Sequence, residues 1–159
     1  MASQLPAFPR FIFTVVEPIS LLAGSVPAII WPDWFISEQL PSSVIPTVAT
    51  TAGSQVVAQQ LGNCYGLLFL LGVAVLYSTT ELKVVRNYLV ALWIADIGHV
   101  VITYLALGHG HSAAVGEWNA MTWGNVGATV FLFLTRTAYF LGLFGPVGKS
   151  LASVEKKAQ

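Results

Sequence analysis

Hydrophobic positions in this chain gather into four long runs instead of alternating with polar ones. The runs cover residues 11–30, 56–77, 88–107 and 123–145. Each is long enough to cross a hydrocarbon core, which takes about 20 helical residues. They predict an all-α polytopic membrane protein: a four-transmembrane-helix bundle over residues 1–148 with a cytosolic tail over 149–159.

The segments between the runs differ in kind. "WPDWFISEQLPSSVIPTVATTAGSQ" carries two Trp and three Pro, which suits an interfacial loop with a short amphipathic turn. "STTELKVVRN" is short, polar and charged, so the second and third helices are expected to be antiparallel neighbours. "GHGHSAAVGEWNAMT" is Gly-rich and polar and reads as a loop.

Composition strengthens the membrane reading. Hydrophobic residues make up 55% of the chain and charged ones 9%, against about 25% charged in a soluble domain. The mean hydropathy is +0.73. Seven Lys and Arg balance seven Asp and Glu, and without a basic stripe nucleic acid is not an expected partner. Cys64 is the only cysteine, so no intramolecular disulfide or thiolate metal site can form.

The basic residues set an orientation. Arg10 precedes the first span, Lys83 and Arg86 lie between the second and third, and Lys149, Lys156 and Lys157 follow the fourth. The other two loops have no Lys or Arg, so the positive-inside rule places both termini in the cytosol. A cleavable signal peptide is the rival reading of the first span, from Arg10 and the small residues of "LAGSVPA". Its removal would leave three spans and spoil the charge alternation.

Two groups of polar residues then stand out within the spans. Glu17 lies roughly 9 Å inside the first span and Arg136 about 13 Å from the same side in the fourth. That depth match suits an intramembrane ion pair; the functional reading makes Arg136 an anchor for an anionic or carbonyl-bearing group, with Glu17 as partner or proton donor. Pro18 removes a backbone donor beside the charge, so a kink is expected there.

Asp96 and His99, three residues apart in the third span, share a helix face with Trp93. Such a face should look into the bundle. Gln59 and Asn63 of the second span and Asn125 of the fourth, with Trp123 above, are at matching depth and could complete one substrate-binding pocket. Interhelical hydrogen bonding is the competing role for Gln59, Gln60 and Asn125, worth about 0.6 kcal/mol a contact. His109 and His111 in "GHGH" lack a further ligand cluster, so no metal is expected. Gly62 and Gly66, and Gly24 and Ala28, have the spacing that lets helix backbones approach.

A sequestered carboxylic acid can stay protonated and act as a general acid towards an alkene, epoxide or carbonyl. With Asp96 and His99 as acid and relay, and the aromatic faces of Trp93, Trp123, Tyr104 and Tyr139 beside them, the set suits proton-initiated isomerisation or cyclisation of a lipophilic substrate. No phosphate loop, dinucleotide fingerprint or HExxH motif appears, so no cofactor is expected. The competing classes are a non-enzymatic lipid- or sterol-binding or assembly protein, and a transporter or channel subunit. Four spans without an internal repeat offer little for alternating access, although a homo-oligomer can supply a pore.

The phrase "FPRFIF" followed by "EPISLLAG" resembles the opening of a family of small four-span fungal membrane proteins of unestablished general function, some encoded among secondary-metabolite genes. The resemblance implies an endoplasmic reticulum location and marks Glu17, Pro18 and Gly24 as the recognisable feature. At the level of fold alone, the layout is similar to the sterol-isomerase and sigma-2-receptor type of membrane protein, and more distantly to the multi-span terpene cyclases. No residue roles carry over from these.

Overall fold

The computed structural model describes residues 4–44 and 49–145. The tail expected at 149–159, with Lys149, Lys156 and Lys157, lies outside them. Helix α1 runs Ala7–Ile30 and includes one π turn, Ile12–Val16. Short α2 (Pro32–Ser37) follows, then α3 (Ala52–Ser78) and α4 (Leu82–Ala113). Last comes α5, a continuous helical run from Ala120–Thr122 through the π turn Trp123–Ala128 to Thr129–Phe140. The described chain is helical without a strand, and α1, α3 and α4 are each long and apolar enough to cross a membrane.

Local chemistry explains the boundaries. Thr51 and Ser54 form a reciprocal capping box at the start of α3, with Ser54 N donating to Thr51 Oγ1 at 3.1 Å and Thr51 N to Ser54 Oγ at 2.8 Å. Asn119 Oδ1 caps α5 by accepting from Thr122 N at 2.8 Å. At the other end, Gly142 takes φ 73°, and its N–H reaches the Tyr139 carbonyl while Leu143 N–H reaches that of Ala138. That left-handed cap ends the helix at Phe140, five residues before the predicted end of the fourth span. The third helix departs from expectation in the opposite sense. It begins inside "STTELKVVRN", whose Leu, Lys and Arg are good helix formers, and continues past Leu107. Gly108, at φ 75° and ψ 163°, kinks it, and the expected loop instead opens with one more helical turn to Ala113.

The π turn of α1 has an identifiable cause. Pro18 has no amide hydrogen for the Thr14 carbonyl, and the Tyr77 hydroxyl of α3 donates to that carbonyl instead, at 3.0 Å. Irregularity in α1 is thus stitched to its neighbour.

α1 packs most extensively on α3, at the small residues the sequence singles out. A Cβ on Gly62 would lie 2.8–3.0 Å from Ile29 Cγ1, Ala28 Cβ and the Ser25 carbonyl, and Ser25 Oγ donates to the Gly62 carbonyl at 2.7 Å. Gly62→Ala is therefore expected to destabilise by about 1–3 kcal/mol through overpacking. Gly98→Ala on α4, where the added carbon meets nothing within 4 Å, serves as the control. Melting of both variants in one detergent checks the claim, and equal melting temperatures would refute it.

Buried apolar side chains form two separate clusters. One, near the start of α1, joins Leu5, Ile12 and Phe13 to Leu76, Leu89 and Tyr139. The other, at the opposite end, joins Ala28, Phe35 and Ala58. There Asp33 of α2 accepts a 2.8 Å hydrogen bond from Gln55 Nε2, which with Thr50 holds its carboxyl below the usual range and ties α2 to the first turn of α3.

Candidate functional site

Arg136 is the centre of the polar interior. Its side chain is 0% exposed, and its guanidinium holds two acids from two other helices: Nη2 donates to Glu17 Oε1 of α1, and Nη1 to Asp96 Oδ2 of α4. The guanidinium carbon lies 5.4 Å from the centre of the Phe13 ring. Arg136 Nε and Glu17 Oε2 are buried without a hydrogen-bond partner among the described residues.

Each helix places its residue by its own logic. The π turn ends at Val16, so Glu17 is the first residue of the regular helix that follows. On α5, Thr135 and Thr137 donate their hydroxyls to the Phe131 and Phe133 carbonyls of their own helix at 2.8 Å, while Arg136 reaches inward to the acids. A buried charge is tolerated when paired and hydrogen-bonded. Arg136 meets that condition twice, through planar donors suited to two carboxylates.

This geometry corrects the expectation of two separate layers. Two pairs, Glu17–Arg136 and Asp96–His99, were expected, with Asp96 as the alternative partner of Arg136; instead Arg136 binds both acids, and no hydrogen bond joins Asp96 to His99. Residue count puts Asp96 about 12 Å and Arg136 about 13 Å from the same side, so depth alone leaves both acids open as partners of Arg136. The Asp96 side chain, 12% exposed, is the more open of the two acids, Glu17 being 7% exposed.

His99 belongs to a second network. It lies beside and interacts with Asn125, whose Nδ2 donates to Gln39 Oε1 at 3.1 Å, and Gln39 Nε2 donates to the Phe35 carbonyl at 3.2 Å. Beside them, Asn119 Nδ2 donates to the Glu38 carbonyl at 3.0 Å. The structure thus brings His99 and Asn125 together. Glu38, Gln39 and Asn119 escaped the sequence reading because they sit in connections, where no periodicity marks a buried face.

Other expected lining residues go elsewhere. Gln59 Nε2 donates to the Ile29 carbonyl at 3.4 Å, and Asn63 is exposed on α3. Trp93 stacks on Phe133 with ring centres 5.5 Å apart and donates to Thr137 Oγ1 at 2.9 Å, so it clamps α4 to α5. Trp123 is exposed and packs edge-on against Trp118. Tyr139 is buried against Phe13, and the Tyr104 hydroxyl meets His109 Nδ1 at 3.1 Å.

Near the kink of α4 lies a cavity of about 280 Å³ lined by Val100, Tyr104, Leu107, His109, Ser112 and Trp118, among others. It is mainly apolar, with the unpartnered Ser112 hydroxyl at its wall. Among the described residues, no three His, Cys, Asp or Glu side chains gather as a metal site.

Residues 2–146 match the model of a family described as a domain of unknown function, DUF7704. No curated protein and no solved structure matches the chain.

Proposed function

We propose that this chain, which belongs to the DUF7704 family, is a membrane-embedded acid–base catalyst that isomerises or cyclises a lipophilic metabolite. In this reading α5 is the fourth crossing, which puts the ends bearing Arg10, Lys83 and Arg86 in the cytosol. The membrane is that of the endoplasmic reticulum, and the substrate enters laterally from lipid.

One observation carries the reading: two carboxyl groups share a single buried guanidinium. Ionising both would leave one net negative charge in an apolar interior, which is costly. The cluster of three is neutral when the two acids keep one proton between them, and that proton belongs to the acid pair as a unit. Asp96, the more open acid, delivers it to an alkene, epoxide or carbonyl of the substrate. The carboxylate left behind is already paired with Arg136, and the cation formed on the substrate balances the charge. His99, one turn along α4, takes a proton from that cation to release the isomerised product, and return of a proton from the imidazolium to Asp96 restores the starting state with no net consumption of acid.

A second reading has its own support. The mainly apolar cavity at Tyr104 and His109 suits a lipid- or sterol-binding protein in which Glu17, Arg136 and Asp96 only lock three helices together. Metabolite profiling after gene deletion separates the two. The catalytic reading expects a lipophilic precursor to accumulate and to disappear on complementation with the wild-type gene, but not with Asp96→Asn. Full complementation by Asp96→Asn, with protein present at wild-type level, would leave the binding reading.

A further inference from the structure

The face of α3 turned away from α1 presents a continuous seam. Val56, Gln60, Asn63, Leu67, Leu70 and Ala74 follow one another at alternating spacings of four and three, and all six are exposed. Buried Ala58, Gly62, Gly72 and Leu76 lie on the opposite side of the same helix. A strict 4–3 repeat is the pattern by which two helices wind about each other with side chains interlocked.

Two members of the seam are carboxamides. Asn63 is the twelfth residue of the 27-residue helix Ala52–Ser78, close to its middle, and Gln60 lies one turn away. Neither has a hydrogen-bond partner among the described residues. Lipid tails cannot supply one, and polar side chains at such depth normally face protein.

We propose that this seam is the interface of a parallel homodimer, with α3 of one copy against α3 of another. A second copy fits better than an unrelated partner for a geometric reason. Copies inserted with the same topology bring equal depths together about a two-fold axis, so Asn63 meets Asn63 and Gln60 meets Gln60. A carboxamide carries both donor and acceptor, so each such meeting satisfies itself. Leu67 and Leu70 supply the apolar packing below, and the amides fix the register, as a buried Asn does in a coiled coil.

Cysteine cross-linking in proteoliposomes tests this directly. In a Cys64→Ala background, Leu67→Cys should oxidise to a disulfide-linked dimer, whereas Ile94→Cys, on α4 and 59% exposed against 54% for Leu67, should stay monomeric. Asn63→Leu with Gln60→Leu should weaken dimerisation about tenfold, read as energy transfer between labelled copies over a dilution series in lipid. Equal cross-linking at the two cysteines would overturn the proposal, as would an unchanged dimer fraction in the double leucine variant. Both leucines replace exposed side chains, so folding of the protomer is left intact.

Discussion

Arg136→Met is expected to prevent accumulation of folded protein. The substitution keeps much of the volume but leaves Glu17 and Asp96 facing each other in the interior without a cation. Breaking a buried pair by removing one partner costs about 3–5 kcal/mol, a large part of a total stability of roughly 5–15 kcal/mol. The companion substitutions make the cause identifiable. Glu17→Gln with Asp96→Asn, added to Arg136→Met, removes all three charges, and accumulation should return towards the wild-type level, because amides can replace charges as interhelical contacts. Arg136→Lys should fall between, since a single ammonium cannot present two separate planar donor edges to acids on two helices. Size-exclusion profiles of the tagged protein in detergent give the comparison. A wild-type profile for Arg136→Met alone would show that the ion cluster contributes nothing to assembly.

The second large effect concerns rate. Asp96→Asn removes the transferable proton but keeps an oxygen that accepts from Arg136 Nη1, so the protein should accumulate while turnover of the precursor falls by about 10²–10⁴, the usual contribution of a positioned general acid. Asp96→Glu should recover part of the loss, because it restores the acid at a displaced position. Purified protein in nanodiscs, supplied with the precursor found by profiling, gives the rates. Asp96→Asn turning over at more than a tenth of the wild-type rate would remove Asp96 from the chemistry.

The class of fold could be read from the sequence because apolar runs of membrane length leave few alternatives. Close approach of helix backbones was also legible, since Gly62 with Gly66 and Gly24 with Ala28 are small at helical spacing; that α1 meets α3 there, and the part Ser25 plays, was not. The pairing of charges was only half legible. Residue count brought Glu17, Asp96 and Arg136 to similar depths, but it does not say which acid the guanidinium reaches, and one arginine taking both was not foreseen. Direction around the helix was harder still. Gln59 and Asn63 share one face at i and i+4, yet Gln59 reaches back to Ile29 while Asn63 points away from the protein. Asn119, Gln39 and Glu38 could not be found at all by period, because caps and connections place side chains by turn geometry instead of repeat.

The order in which the three charged residues are synthesised follows from their positions. Glu17 leaves the ribosome first, Asp96 next and Arg136 last, 40 residues after Asp96 and 119 after Glu17. Chains grow from the N-terminus, so both acids are made before the arginine that pairs with them. A ribosome that stops before α5 leaves Glu17 and Asp96 without the guanidinium that holds them both. The last helix therefore closes the cluster: its arginine is the last of the three charges to be made and the one that the other two share.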